Sequence, residues 1–308
     1  MEHIYDMIVI GGGPAGCTAA LYGARAGLDV IMLEKMAPGG QMTLTGDIDN
    51  YPGFDEGIDG ITLGLKMQQG AERFGARTRY AAVTSLDLDG AVKTVYTRTG
   101  VFCGRTVVLA AGADPLPLNL PGEKEWTGRG IHYCAHCDGR FYKDKTVAVI
   151  GGGSSAAGDA LYLSRLAGKV YLVHRRDTLR AERVYQTALQ ETGNIEFIWN
   201  STVTGIVTDG RLTGIKVRDT RSGEEREISC DGVFVSIGRR PATDLFRNQL
   251  ALDDAGYVLA GESTETNLPG VFAAGDLRTK PLRQIVTAAS DGAVAAHFAA
   301  EYLSAVSR

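Results

Sequence analysis

The feature that most constrains this chain is a repeat. Ile8-Val9-Ile10 runs into Gly11-Gly12-Gly13-Pro14-Ala15-Gly16, and Ala148-Val149-Ile150 runs into Gly151-Gly152-Gly153-Ser154-Ser155-Ala156, an offset of 140 residues. The offset persists from Ala20-Leu21-Tyr22 to Ala160-Leu161-Tyr162, and from the apolar run Val30–Leu33 to Val170–Val173. Each copy reads as a buried strand, a glycine-rich turn, a helix and a second strand. Such a turn sets backbone N–H groups and the positive end of a helix dipole against a pyrophosphate, which the glycines allow to come close. A single glycine turn also joins strand to helix for packing alone. Here the strand-before, helix-after context is met twice, which predicts two dinucleotide sites. The expected fold class is α/β, with two Rossmann-like three-layer nucleotide-binding domains, one inserted in the other.

The 308 residues, 44% of them hydrophobic, can bury a large core and suit about two domains. Net charge is −4 and basic residues are scattered, except for one cluster from His174 to Arg180. That leaves no broad footprint for nucleic acid. The apolar run Met7–Ile10 near the start is short and lacks the charged n-region and the cleavage site of a signal peptide, and no later segment approaches the about 18 apolar residues of a membrane span. The expectation is a soluble, cytoplasmic protein with no membrane partner.

The residue ending the second strand of each copy faces a ribose 2′ position. In the first copy it is Glu34, followed by Lys35; a carboxylate there accepts hydrogen bonds from ribose hydroxyls and repels a 2′-phosphate. In the second copy the chain reads His174-Arg175-Arg176, with Arg180 close behind. Arginine offers a planar fork of donors matched to phosphate. The second site is therefore expected to take NADPH and the first a dinucleotide with a plain ribose. A flavin, FAD, that exchanges hydride with NADPH is the natural pair. Gly270-Val271-Phe272-Ala273-Ala274-Gly275-Asp276 adds another apolar strand ending in Gly-Asp, where Asp276 can bind a ribityl hydroxyl, and a helical pattern follows from Leu282 to Leu303.

Ala111-Gly112-Ala113-Asp114-Pro115 and Ile237-Gly238-Arg239-Arg240-Pro241 each run an apolar strand into glycine and then proline, which breaks a strand. Two crossings imply an inserted domain. The expected division is a discontinuous FAD-binding domain, 1–113 and 242–308, and an NADPH-binding domain, 114–241, carrying the cysteine pair. Alternating stretches from Arg77 to Val108 and from Glu196 to Val235, with turns at Asp89-Gly90 and Asp209-Gly210, predict small antiparallel additions.

Of five cysteines, Cys17, Cys103 and Cys230 lie in or beside apolar patterns and read as small buried hydrophobes. Cys134 and Cys137 form the only pair, in His132-Tyr133-Cys134-Ala135-His136-Cys137-Asp138-Gly139-Arg140. Structural zinc usually draws four ligands from two separated pairs, and four ligands packed into six residues would strain a tetrahedron. A structural disulfide across so short a loop stabilises little. What remains is a redox pair that accepts electrons from a flavin and exchanges with an outside disulfide, with Asp138 able to donate or accept the proton.

Taken together, GGGPAG, GGQMTLTGDIDNYPGF, CAHCDG, GGGSSA, HRRDTLRAE and AAGDLRTKPLRQIVTAASDGAVAA make the chain resemble, over essentially its whole length, the low-molecular-weight, bacterial-type thioredoxin reductases. The resemblance implies a thioredoxin-disulfide reductase in which electrons pass from NADPH to FAD, to the Cys134–Cys137 disulfide and to oxidised thioredoxin. It implies that Cys137 faces the flavin, that Cys134 attacks thioredoxin and that Asp138 is the acid. FAD would lie along Gly11, Gly13, Pro14, Ala15, Gly16, Glu34, Lys35, Gly40, Gln41, Asn50, Ala111, Gly112, Gly275 and Asp276, with Arg283, Gln284 and Ile285 near its ring. NADPH would lie along Gly151, Gly153, Ser154, Ser155, Ala156, His174, Arg175, Arg176, Arg180, Ile237 and Gly238. A homodimer and a rotation of the inserted domain about the two crossings are also implied. The chain departs from the family pattern at His132 (commonly Ser), His136 (commonly Thr), Arg140 (often aromatic), and Ser154, Gly158 and Asp159 (commonly Asn, Glu and Glu). His136 reads either as a neutral core residue or as an imidazolium lowering a thiol pKa. The competing functions are a flavin-dependent dithiol oxidase and a reductase fed by ferredoxin or a deazaflavin; the intact His174-Arg175-Arg176 cluster argues against both.

Overall fold

Met7, Ile8 and Val9 are fully buried on both faces of their strand, as are Val147, Ala148 and Val149 of its counterpart. Strands with no wet face belong at the centre of parallel sheets covered on both sides. The structure, a computed structural model, describes residues 3–44, 47–48 and 50–306; Thr45, Gly46 and Asp49 of the GGQMTLTGDIDNYPGF segment lie outside the described residues. It divides into two compact units, Met1–Asp114 with Arg240–Arg308, and Pro115–Arg239.

In the first unit the sheet runs in the order Arg77–Tyr80, Val30–Glu34, Ile4–Ile10, Gly100–Leu109, Lys93–Thr97, Val83–Asp87. Ile8 pairs in parallel with Ile31 on one side and Val107 on the other. On its edge away from Ile4–Ile10, Gly100–Leu109 is long enough to serve two partners. Its start pairs antiparallel with Lys93–Thr97 and its end pairs in parallel with Val271–Ala273. The antiparallel addition is thus narrower than the sequence suggests, because Arg77–Tyr80 joins Val30–Glu34 in parallel. One core faces the helices Pro14–Arg25 and Ile285–Val306 through Met7, Val9, Ala19, Ala20, Ala295, Ala296 and Ala299; the other gathers Ile8, Leu33, Val107, Phe246 and Val258. The small residues bring the two helices together, and a Cβ on Gly292 would lie 2.1 Å from Ala15 O. The last helix starts at Ile285 and not at Leu282, since Pro281 precedes it and Gln284 supplies the first carbonyl acceptor, to Ala288 N.

The second unit holds an all-parallel sheet in the order Ile131–His132, Gly232–Val235, Thr146–Ile150, Lys169–Val173, Ile195–Ile198. An antiparallel sheet of Ser201–Thr208, Leu212–Asp219 and Glu225–Ser229 covers part of it. The crossings do more than break strands: Ala113–Pro115 and Arg239–Pro241 pair with each other. Each proline ends its short strand, where its missing N–H costs no ladder bond.

Candidate functional site

In both units the glycine turn follows the carboxyl end of a central parallel strand, Ile4–Ile10 or Thr146–Ile150, the end at which ligands of doubly wound sheets bind. Gly11 takes φ of +105°, open to glycine, and a Cβ on it would sit 2.4 Å from Ala110 O. Gly16 closes the helix onto the turn, since a Cβ there would be 1.8 Å from Gly11 O. The helix Pro14–Arg25 has no side-chain cap at Gly13, and a Cβ on Gly13 would meet nothing within 4 Å. Its amino end is an open anion cradle. Glu34 is buried beneath the turn; its Oε2 accepts from Gly12 N at 2.7 Å and its Oε1 from Met36 N at 2.9 Å. The remaining lone pairs of this carboxylate suit ribose hydroxyls.

Distant segments converge on this cradle. Gly39 N donates to Gly12 O at 2.7 Å, and a Cβ on Gly40 would lie 3.4 Å from Gly13 Cα. Gln41 Nε2 donates to Ala113 O, beside Ala111 and Gly112. A Cβ on Gly275 would lie 2.9 Å from the Ala15 side chain. Asn50 Nδ2 donates to Gln284 Oε1 at 3.0 Å, Arg283 Nε donates to Asp276 O at 3.3 Å, and Ile285 packs with Met42 and Ile48. Lys35 is exposed. The sequence reading missed the support beneath Gly275-Asp276. Asp291 accepts from Gly275 N at 2.9 Å, from Arg278 Nε and Nη2 at 2.9 and 2.8 Å, and from Lys280 Nζ at 2.7 Å. Burial would raise its carboxyl, but the Arg278 and Lys280 hydrogen bonds outweigh that and hold it below the ordinary carboxylate range. The lone charged residue in the first two turns of the last helix, Asp291 after Ile285-Val286-Thr287-Ala288-Ala289-Ser290, was the available signal.

The second unit repeats the backbone and changes the side chains. Gly151 takes φ of +155°, and a Cβ on it would sit 2.4 Å from Ser236 O, just before Ile237 and Gly238. Gly153 is open, with no side-chain cap on the helix Ser154–Ser164. Ser154 Oγ is occupied in accepting from Glu182 N at 3.1 Å; Ser155 lies in the same turn and Ala156, where the first copy has Gly16, is buried. His174 lies under the turn as Glu34 does, its ring 2.2 Å from the place of a Gly152 Cβ. Burial, reinforced by Arg180 and Arg175, pushes its imidazole below the usual range, so His174 is no cation of the cluster. Its Nε2 is buried without a hydrogen-bond partner. The positive charge belongs to the exposed Arg175, Arg176 and Arg180, and Arg180 N is tied to Gly152 O at 2.7 Å. Open glycine cradles, the buried carboxylate under the first and the orphaned imidazole nitrogen and arginines around the second fit two dinucleotides.

Cys134 and Cys137 form a disulfide, with Cα atoms 5.3 Å apart, across the one-turn helix Ala135–Asp138. The turn is closed by Asp138 N donating to Cys134 O at 3.1 Å. The two histidines diverge. His132 is buried, with Nε2 2.7 Å from Tyr142 Oη. His136 is no core residue: its side chain is 47% exposed, stacks on Tyr162 at 4.2 Å, and sets Nδ1 3.9 Å from Asp159 Oδ1. Asp159, which also accepts from Ser236 Oγ, is raised by burial against the pull of that bond, His136 and Arg239. Two of the departures from the family pattern, His136 and Asp159, therefore face each other. Cys17 and Cys230 are buried thiols pushed up to about 12 by burial, with acidic neighbours adding to it, and are unreactive as thiolates.

The model of the pyridine nucleotide-disulphide oxidoreductases matches residues 5–292. A thioredoxin reductase of Listeria monocytogenes is 47% identical over 303 residues, covering 98% of this chain and 95% of that one. The crystal structure of a thioredoxin reductase from Streptococcus pyogenes matches with a TM-score of 0.90 and 40% identity, over 98% of this chain and 99% of that one. A ferredoxin-flavin thioredoxin reductase from Clostridium acetobutylicum matches over 98% of this chain and all of that one, with a TM-score of 0.53 and 32% identity.

Proposed function

This chain belongs to the pyridine nucleotide-disulphide oxidoreductases, among the bacterial-type thioredoxin reductases, and from that premise we propose that it reduces oxidised thioredoxin with electrons taken from NADPH through FAD. The observation that carries the reading is the contrast beneath the two matched turns. A carboxylate underlies the first, a neutral imidazole flanked by three arginines underlies the second, and the disulfide shares a unit with the second.

A bound flavin supplies two-electron transfer between a nicotinamide and a sulfur. The chain's own residues do the rest. Glu34 holds a plain ribose; Arg175, Arg176 and Arg180 select a 2′-phosphate. Cys137 takes up electrons on the flavin side, and Cys134 forms the mixed disulfide with the partner. Asp138, buried next to Cys137, gives the proton that one sulfur needs when the disulfide opens. An enzyme of this kind works in the cytoplasm, where thioredoxin is kept reduced.

The ferredoxin-flavin neighbour has a related chain, so the choice of donor rests on the arginines, which a ferredoxin-fed or oxygen-consuming enzyme would not need. A homodimer is supported by a groove on the first unit, lined by Leu21, Tyr22, Tyr51, Met67, Val286 and Ala289, with Tyr22 and Val286 exposed and Leu65 exposed on the neighbouring helix. Anaerobic mixing of the FAD-loaded enzyme with NADPH tests the function. Rapid bleaching of the flavin, then reoxidation by added thioredoxin disulfide, is expected; no bleaching with NADPH overturns the proposal.

A further inference from the structure

Behind the disulfide lies a polar row that the electron path does not use. His132 ends the strand Ile131–His132 and is 5% exposed. Its Nε2 lies 2.7 Å from Tyr142 Oη and its Nδ1 3.1 Å from Asp138 Oδ2. The ring is wedged between Phe234, stacked at 5.2 Å, and the edge of Tyr142 at 5.3 Å. Packing therefore sets its orientation, and Nδ1 faces the carboxylate without completing a hydrogen bond to it. Burying such a nitrogen with its bond incomplete brings no packing gain that an apolar ring would not supply.

Burial, with Asp138, Cys230 and Asp231 adding to it, pushes the Tyr142 hydroxyl above the ordinary tyrosine range. In the tautomer with its ring proton on Nε2, His132 donates to the Tyr142 hydroxyl oxygen and turns the Nδ1 lone pair toward Asp138. Among the described residues, the charged and titratable groups acting on Tyr142 are Asp138, Cys230 and Asp231, with Lys145 Nζ 5.6 Å over its ring. Phe234 contributes none.

We propose that His132 and Asp138 form one proton-holding unit for the cysteine pair, in which His132 is a positioning residue that sets when Asp138 is an acid. This rests on the thioredoxin reductase reading. Two electrons break the S–S bond and leave two thiolates, and one proton turns one of them into a thiol. The loaded unit keeps that proton between the Asp138 carboxyl and Nδ1. Asp138 releases it to the sulfur and becomes a carboxylate facing the Nδ1 lone pair, a repulsion that holding the proton relieves. When a cysteine next attacks the partner disulfide as thiolate, its proton returns to Asp138. The macroscopic pKa of this step belongs to the pair and not to either residue.

The test compares wild-type holoenzyme with His132→Gln, which fills the slot and hydrogen-bonds but cannot hold a mobile proton. The pH profile of kcat/KM for a bacterial thioredoxin is measured beside flavin reduction by NADPH in single turnovers. The alkaline limb of the variant is expected to move down by about one pH unit or more, with the rate at neutral pH falling about ten-fold while flavin reduction stays unchanged. Superimposed profiles overturn the proposal. Should the variant lose its flavin, wild-type holoenzyme with 13C-labelled histidine rings decides: the His132 titration must shift when the disulfide is reduced, and an unmoved titration overturns the proposal. A wild-type enzyme that fails to reduce thioredoxin overturns the function itself, a result distinct from matching profiles in an active enzyme.

Discussion

Residues 8–34 and 148–174 carry the same backbone to two different ends. Gly11 and Gly151 both lie at positive φ, each with a neighbouring carbonyl 2.4 Å from where a Cβ would go, so the turn itself is conserved in geometry. The residue beneath the turn is where they part. Glu34 is hydrogen-bonded to the turn through Gly12 N; His174 packs under Gly152 with Nε2 unpartnered and its charge suppressed. The lesson is that the shared glycines build one turn twice, and the side chain beneath it with its exposed neighbours gives each copy a different charge.

The comparison breaks most sharply at the last position of the turn, Gly16 against Ala156. Gly16→Val forces atoms into Gly11 O, with an expected loss of at least about 3 kcal/mol and of bound flavin. Ala156→Gly at the matching position should cost about 1 kcal/mol or less. Thermal unfolding and flavin content measure both, and equal losses would show that the two turns are not packed as described.

Next in size is Glu34→Ala, which strands the buried Gly12 N–H and should weaken FAD binding by about 100-fold. Flavin retention after dialysis is the measurement. Arg175→Gln with Arg176→Gln should then raise KM for NADPH by about 10- to 100-fold and leave KM for NADH nearly unchanged. Equal changes for both nucleotides would remove the arginines from 2′-phosphate recognition.

The smallest effect separates the units by acid response. The His174 pKa is lower in the folded chain than in the unfolded one, so below about pH 6.5 the unfolded chain binds a proton that the folded one refuses, and stability falls as pH falls. Asp291 is shifted down, so its contribution is present above the unfolded carboxylate pKa and is lost only as the pH falls through its lower folded value. Unfolding midpoints between pH 7.5 and 5.5 should decline in wild type and less in His174→Gln, while Asp291→Asn lowers the midpoint across that whole range. An unchanged slope in His174→Gln removes the buried histidine as its source.

Much of the fold could be read in advance because its signals are local. Apolar triplets before glycine turns mark central strands, and Gly-Pro punctuation marks the crossings. The helix from Ile285 was misplaced by three residues because the apolar pattern begins before Pro281 and Gln284 allow a helix to start. The role of Arg77–Tyr80 was misread because alternation does not reveal whether a strand's partner runs parallel or antiparallel.

By itself the sequence determined the two cradles, the opposite characters of Glu34 and of the arginines after His174, and the cysteine pair, since each lies within one short contiguous stretch. Tertiary structure alone decided that His174 is neutral, that Asp291 anchors Gly275 from 16 residues away, that His136 meets Asp159, and that His132 stands between Asp138 and Tyr142. Burial and cross-chain contact set the charge and partner of a side chain, and neither is a property of its neighbours in sequence.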